Sequence, residues 1–238
     1  MRITGLKKYK YKYDMHVHTS PVSTCGDFSP EETVIRYANL GFDGFVLTNH
    51  FTPLNASKHS SLSGFVSYYL NDYEEAKEYG KKYGVDVMLG LEIRFPENNN
   101  DYLVYGVDED DVFCAAQYLY TDYKTFYREF KNDRNIIIQA HPLRGSVTLC
   151  DLDYVDGIEV FNMHPGHNAQ ISLATKISKE NPHLLVTGGT DFHHEGHQGL
   201  CATCSSEKIS DSFGIAELIK SREFILDLSG SIIIPNFF

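Results

Sequence analysis

Short apolar runs and amphipathic stretches alternate along this chain, and that alternation limits the folds open to it. Residues 10–18, "KYKYDMHVH", carry the two-residue period of a strand. Residues 29–41, "SPEETVIRYANLG", predict a helix: Ser29 as N-cap, Pro30 in the first position, Glu32 completing a capping box and Gly41 closing the end. "GFVLTNH" (44–50) predicts a strand, and residues 65–83 a long helix rich in Glu and Lys, stopped by Gly84. "VDVMLGLEIRF" (85–95) predicts one strand and "DYLVYGV" (101–107) another, after the "PENNN" turn. "NIIIQAH", "GIEVFN" and "LLVTGGTDFH" read as further strands; "DYKTFYREFKND", "HNAQISLATKISKE" and "SFGIAELIKSREF" read as helices. Val/Ile/Leu runs separated by helices predict a parallel sheet covered on its faces. Six or seven such units predict an α/β fold of the (β/α) barrel type, somewhat reduced in size, in preference to an open doubly wound sheet.

The 238 residues, 42% of them hydrophobic, suit one domain spanning 1–238. A chain this long buries about 70% of its unfolded surface and needs no disulfide to fold. The five cysteines are scattered and do not form a disulfide framework; Cys201 and Cys204, a C-x-x-C, read as ordinary strand residues. No apolar run approaches the ~18 residues of a membrane span. Residues 1–14 are basic and aromatic but lack the apolar core of a signal peptide, so a cytoplasmic protein is expected. The net charge of −11 argues against a broad grip on long nucleic acid. Two or three divalent ions would offset about half of it and leave room for a small phosphorylated substrate. The apolar tail "SIIIPNFF" is expected to pack on the barrel or on a second subunit; oligomeric state is not legible.

Metal-type side chains end the apolar runs. His16 and His18 close the first, His50 the second, then Glu92, His141, and Asp191 with His193; Glu159 and Asn162 close "GIEVFN", with His164 after them. A βα barrel places its active site at the C-terminal ends of its strands, so these side chains would share one rim. Alternation puts Asp14, His16 and His18 on one face, and likewise pairs Asp191 with His193. Imidazoles with a few carboxylates suit Zn, Fe or Mn better than Mg or Ca. The candidates His16, His18, His50, Glu92, His141, Asp191 and His193 exceed the four positions of one tetrahedral zinc. Glu92 or Asp191 is the candidate bridge between two ions. A lone strand-end His is more often a hydrogen-bonded core residue. Clustered imidazoles without metal would repel on protonation, and a pH switch would not need so many carboxylates.

The segments "DMHVHTSPVSTCGDFSPEE", "LTNH", "GLE", "AHPLRG" and "GGTDFHHEG", in this order, resemble the PHP (polymerase and histidinol phosphatase) family from about residue 13 to about residue 199. The resemblance implies a distorted (β/α)7 TIM-like barrel, a centre of two or three divalent ions, and phosphoester hydrolysis. By the family pattern His16, His18 and Asp191 bind a first ion. Glu92 bridges it to a second, held also by His141, and His50 and His193 hold a third. The chain departs from the pattern in places. Asn49 stands where an acid is usual, which weakens an orienting role. "STCG" stands where relatives carry S-D-G or His, which makes Cys25, with Asp27 two residues on, a candidate ligand. Asp101 and Asp108 are the options for a ligand after G-x-E, with Asp108 at the C-terminal end of its predicted strand.

The expected chemistry is hydrolysis of a small phosphoester, as a phosphatase or phosphodiesterase, by a hydroxide bridging two ions ~3.5–4 Å apart. Arg144 either grips a phosphate oxygen with its planar fork or forms a surface ion pair, and Arg94 is a second candidate. His194 either protonates the leaving oxygen or faces solvent, and His164 and His167 are expected to line the mouth. Two alternatives compete. An amidohydrolase or TatD-like enzyme also begins with H-x-H, but usually lacks the G-x-E and D-x-H, and no strand here ends in the lysine that would favour it. A non-catalytic regulatory PHP module would have lost ligands, and here the core ligands survive.

Overall fold

The structure is a computed structural model that describes residues 5–235. The start of the basic N-terminal segment (1–4) and the end of the apolar tail (236–238) lie outside the described residues, and the expectations for them are untouched.

The first strand, β1 (Tyr11–Val17), forms where the alternation predicts it and leads to α1 (Pro30–Asn39). The Glu32 amide donates to the Ser29 hydroxyl at 3.3 Å and the Ser29 amide donates to the Glu32 carboxylate at 3.0 Å, so the expected capping box is formed. Next come β2 (Gly44–Leu47), the two-residue β3 (His50–Phe51), the single turn α2 (Pro53–Ala56) and the long α3 (Leu62–Tyr83). Three strands follow, β4 (Asp86–Leu89), β5 (Leu91–Arg94) and β6 (Asp101–Tyr105), then α4 (Glu109–Ala116) and α5 (Tyr123–Phe130). The rest of the chain runs β7 (Ile136–Gln139), β8 (Gly157–Asn162), α6 (Ile171–Glu180), β9 (Leu185–Gly189), β10 (Ala202–Ser205), α7 (Ser212–Ser221), β11 (Ile225–Leu228) and β12 (Ser231–Ile233).

The strands make two six-stranded sheets, ordered β12-β11-β10-β1-β2-β4 and β3-β5-β6-β7-β8-β9. This corrects the expectation of one parallel barrel sheet. The β1–β2, β2–β4, β3–β5, β7–β8 and β8–β9 pairs are parallel. However, β6 runs antiparallel to β5 and β7, and β10 antiparallel to β1 and β11. No continuous ring forms among the described residues. β1 meets the segment after β9 through an isolated parallel bridge, Val17 with Phe192.

Two runs read as single strands are each divided between the sheets. "GFVLTNH" becomes β2 and β3, interrupted at Thr48–Asn49; "VDVMLGLEIRF" becomes β4 and β5, interrupted at Gly90. A Cβ at Gly90 would stand 2.7 Å from Val46 Cγ1, so the crossing there requires a residue without a side chain. Backbone bonds carry the pairing across both interruptions: Gly90 N to Leu47 O at 3.0 Å and Glu92 N to Asn49 O at 3.2 Å. The first residues after each crossing include His50 and Glu92, so the seam between the sheets delivers candidate ligands.

Alternation sorts the apolar side chains into two clusters. Phe45, Leu47, Val87, Leu89, Leu91 and Ile93 pack with α1 and α3; Val46, Met88, Leu103 and Ile138 belong to the second cluster. Glu92 lies between Leu91 and Ile93 and therefore points to the other face. The described part of the tail pairs β12 with β11 as a sheet edge of the same chain. Cys201 and Cys204 are buried free thiols, as expected of strand residues. No described helix is long and apolar enough to cross a membrane.

Candidate metal centre

Two buried carboxylates gather the imidazoles. Around Glu92, Oε1 lies 3.0 Å from His141 Nε2 and 3.3 Å from His16 Nε2, while Oε2 lies 2.5 Å from His50 Nδ1 and 3.5 Å from His18 Nε2. Around Asp191, Oδ1 lies 3.5 Å from His16 Nε2, 3.4 Å from His18 Nε2 and 3.3 Å from His193 Nδ1. Among the described residues, three groups of donor atoms each fall within 4.8 Å: His16–His18–Asp191, His16–Glu92–His141 and His18–His50–His193. All seven candidate ligands are thus brought together.

The donor set fits divalent ions. His16 Nε2 and His18 Nε2 are buried without a hydrogen-bond partner, which is costly unless a cation takes their lone pairs. Charge points the same way. Burial would neutralise His16, but Glu159, Asp191 and Glu92 hold its pKa well above the ordinary value. A divalent ion would displace that proton. Burial, with His193 and His50 close by, pushes His18 well below, so its Nε2 offers a lone pair. Burial alone would protonate Glu92 and Asp191. The imidazoles, His50 and His16 for Glu92 and chiefly His16 for Asp191, hold both well below the usual carboxylate range.

A second layer fixes these side chains. Glu159, at the inner face of β8, accepts from His16 Nδ1 at 3.0 Å through Oε1. Its Oε2 accepts from the His141 amide at 3.0 Å and from Asn162 Nδ2 at 2.9 Å. His16 is therefore held in the tautomer that frees Nε2. Ser23 Oγ performs the same service for His18 Nδ1 at 3.0 Å and also donates to Asn49 Oδ1 at 2.7 Å. Asn49 is buried and fully engaged, which corrects the expectation that it weakens the orienting role. Its Nδ2 donates to Thr19 Oγ1 and to Asp72 Oδ2, both at 2.8 Å, so an acid from α3 anchors this network. Burial pushes the Asp72 carboxyl up to about 6 against the pull of those hydrogen bonds.

Local backbone geometry also departs from strand rules. Asp191 and His193 lie past the end of β9, so strand alternation is not what pairs them. Asp191 takes φ +51° and His141 takes φ +29°, conformations that cost a non-glycine residue about 1–3 kcal/mol and cluster at functional sites. Phe192, between Asp191 and His193, is fully buried, stacked on Phe28 at 5.6 Å and edge-on to Tyr37 at 5.7 Å. That burial contributes roughly 2–3 kcal/mol toward holding the strained loop. Asp14 shares strand parity with His16, but its carboxylate accepts from Thr190 and Tyr37 and supports the loop from behind.

The remaining expectations divide. Asp108 is not at the site: it is the N-cap of α4 and pairs with Arg134. Because β6 runs backwards, it is Asp101 at its start that reaches the centre, 3.8 Å from His141 Nε2 and bound to Arg94 at 2.6 Å. Arg144 does form an ion pair, but with a buried candidate ligand in place of a surface acid: its guanidinium lies 2.5 Å from Asp191 Oδ2. His194 is exposed and hydrogen-bonded through Nδ1 to Asp27 at 2.9 Å. Cys25 is exposed beside His193 and His50. Partial burial raises its thiol pKa, but the hydrogen bonds from those imidazoles bring it down to about 6. His164 lies 5.9 Å from the His193 ring, with His167 and the unforeseen His197 against it at 4.4 and 4.6 Å. Burial lowers His164 to about 4, so this outer cluster is neutral near pH 7.

The PHP domain model matches residues 14–230, nearly the whole chain. The chain belongs to the PHP family. Known structures share its fold. A Bacteroides vulgatus two-domain protein containing a predicted PHP-like metal-dependent phosphoesterase aligns over 92% of this PHP domain, with a TM-score of 0.64 and 20% identity. The alignment spans 65% of that longer chain, which is just under two thirds. A provisionally assigned metal-dependent phosphoesterase from Bifidobacterium adolescentis aligns over 89% of this chain and 96% of its own, with a TM-score of 0.51 and 18% identity. PsfC from Pseudomonas syringae PB-5123 aligns over 86% and 87%, with a TM-score of 0.62 and 15% identity. At these identities the likeness concerns the fold. A search of the curated proteins found no match.

Proposed function

We propose that this PHP domain hydrolyses a phosphoester bond of a small phosphorylated substrate with two or three divalent ions, Zn, Mn or Fe. The observation that carries the reading is the set of buried nitrogens without hydrogen bonds around Glu92 and Asp191. His16, His18 and Asp191 would hold one ion. Glu92 and His141 would hold a second that shares Glu92, and His50 and His193 a third. Bound there, the ions would clamp the attacking and leaving oxygens of an in-line displacement and offset the phosphate's charge. The chain's own part is positional. Glu159 and Ser23 keep the free nitrogens of His16 and His18 aimed inward. Arg144, anchored on Asp191, turns its remaining N–H donors to a phosphate oxygen. His194 donates its Nδ1–H to Asp27, and its Nε2, once it has taken a proton from solvent, would pass that proton to the leaving oxygen. The acidic surface favours a small substrate over a long polyanion.

The test is a screen of aryl phosphates, monoesters and diesters with protein stripped by a chelator and reloaded with Mn, Zn or Fe. Turnover is expected to depend on added metal, and Asp191→Asn is expected to abolish it and to release bound metal. The proposal fails if no loaded form hydrolyses any ester, or if Asp191→Asn turns over at the wild-type rate. Loaded protein that holds less than stoichiometric metal would replace it with a non-catalytic role.

A further inference from the structure

We propose that the cleft between the end of β8 and the start of α6 receives the leaving group of the phosphoester and selects an uncharged one that carries a flat ring; this rests on the hydrolytic reading above. The cleft has a volume of about 360 Å³, and Asn162, Met163, His164, Pro165, His167 and Ile171 are among its lining residues. Among the described residues that line it none is Asp, Glu, Lys or Arg, in a chain where 22% of residues are charged. Its inner end meets the metal centre. Asn162 Nδ2 lies 3.4 Å from Asp191 Oδ2, the oxygen that Arg144 also holds. Gln170, another lining residue, donates through Nε2 to the Leu143 carbonyl at 2.7 Å, one residue before Arg144. A phosphate gripped by Arg144 therefore stands at the inner end of the cleft. The ring of His194, assigned above to the leaving oxygen, is 5.2 Å from that of His197, and His197 is 4.6 Å from His164. The departing side of the ester thus faces the cleft.

A His-Pro-Gly-His turn at residues 164–167 builds the wall. The His167 amide donates to the His164 carbonyl at 3.2 Å, which brings the two rings to 4.4 Å. The Gly166 amide donates to His164 Nδ1 at 3.0 Å, so that nitrogen carries a lone pair and the ring is neutral, with its proton on Nε2. His164 is buried, which fixes the ring in place. Gln170 stands at the N-cap of α6 with φ +49° and makes no capping bond, its side chain being spent on Leu143. Backbone strain of this kind collects at functional sites. Two imidazoles beside Met163, Pro165 and Ile171 favour a planar neutral group by ring contact and burial. A charged group would lose its water there and meet no counter-charge from the cleft's own residues.

Esters of benzyl alcohol test this, because a substituent at the far end of the ring changes its charge and leaves the departing oxygen nearly as basic. Full-length, metal-loaded protein is given benzyl, 4-carboxybenzyl, 4-(aminomethyl)benzyl and butyl phosphate. The kcat/KM for benzyl phosphate is expected to exceed each of the others about tenfold. His164→Ala and His167→Ala are expected to bring the benzyl-to-butyl ratio near one. His167→Glu is expected to favour the aminomethyl ester over the carboxy ester about tenfold. Ratios taken within one variant cancel any loss of folded protein. The unhydrolysable 2-phenylethylphosphonate is expected to bind wild type about tenfold more tightly than its 4-carboxyphenyl counterpart and to shift the ring-proton resonances of His164 and His167. Equal turnover of charged and uncharged benzyl esters overturns the inference and leaves the proposed function standing, as does a benzyl-to-butyl ratio unchanged in both alanine variants. If no loaded form hydrolyses any ester, the proposed function falls and the phosphonates decide the inference alone: the expected preference and shifts uphold the cleft as the site of the ring, and their absence removes it as well.

Discussion

Glu159→Gln separates the metal centre from the fold that carries it. In the native protein Glu159 Oε1 accepts from His16 Nδ1, and Oε2 accepts from the His141 amide and Asn162 Nδ2, all within 3.0 Å. Glutamine keeps the volume but replaces one oxygen by an NH2 group. Turning that group toward His141 and Asn162 would set it against two donors, each such buried mismatch costing about 1–3 kcal/mol. Turning it toward His16 avoids both, provided His16 Nδ1 becomes an acceptor and its proton moves to Nε2. The second arrangement preserves the fold and removes the lone pair that faces Glu92 and Asp191. Loss of such an orienting partner typically costs 10–100-fold in metal affinity, and a wrong tautomer places this variant near about 100-fold, or about 3 kcal/mol. Competition against a chromophoric chelator measures the affinity, and urea unfolding of the metal-free forms measures the fold. A variant that binds metal within about twofold of wild type, well short of the expected range, would show that Glu159 does not set the His16 tautomer.

Three further outcomes are expected. Arg144→Lys should raise KM for a phosphoester about tenfold, because a point charge cannot reproduce the planar fork that reaches past Asp191; unchanged KM in steady-state assays would remove Arg144 from substrate binding. Gly189→Ala should destabilise the protein by about 1–3 kcal/mol in urea unfolding, since the new Cβ would stand 2.5 Å from His16 Cβ; a neutral result would contradict the close approach of β9 to β1. Asp72 carries a pH signature. Its folded pKa of about 6 lies above the ordinary 3.8, so the native state takes up a proton between those values. Its contribution is full below pH about 4 and is lost as pH rises through about 6, a decline of about 3 kcal/mol. Asp72→Asn should flatten that decline in denaturant titrations of metal-free protein from pH 4 to 7, and an unchanged profile would place the titration elsewhere.

Much of the centre was legible because strand ends and short motifs carry it. His16 and His18 are two residues apart at the end of β1, and all seven candidate ligands do converge. The reasons differ from residue to residue. Asp191 and His193 meet through a left-handed turn pinned by Phe192, a conformation that alternation does not encode. Glu159 and Asp72 were not singled out for support because each resembles something ordinary: a polar residue within a strand, and one acid among many on a Glu- and Lys-rich helix. The reversal of β6 did leave a trace. Residues 95–100 separate β5 from β6, and six residues are too few for a parallel crossover, which needs a dozen or more. Read that way, the "PENNN" turn would have placed Asp101 at the rim and Asp108 far from it. The division of two apolar runs between sheets was hidden, since an uninterrupted apolar stretch looks the same whether or not its hydrogen-bond partners change midway.

The seam between the sheets has a consequence for the order in which the molecule assembles. His16 belongs to β1 of one sheet, His50 and Glu92 to the other, and Asp191 follows the last strand of that second sheet. An ion that joins His16 to Asp191 closes a loop of 175 residues (191 − 16). An unfolded chain rarely brings such distant ligands together, and neither sheet alone supplies the set. Metal should therefore be captured after the rate-limiting step of folding. An interaction absent from the transition state slows unfolding and leaves the folding rate alone. Bound metal would then act as a latch: it sets how long the finished domain lasts, while the speed of its making belongs to the chain.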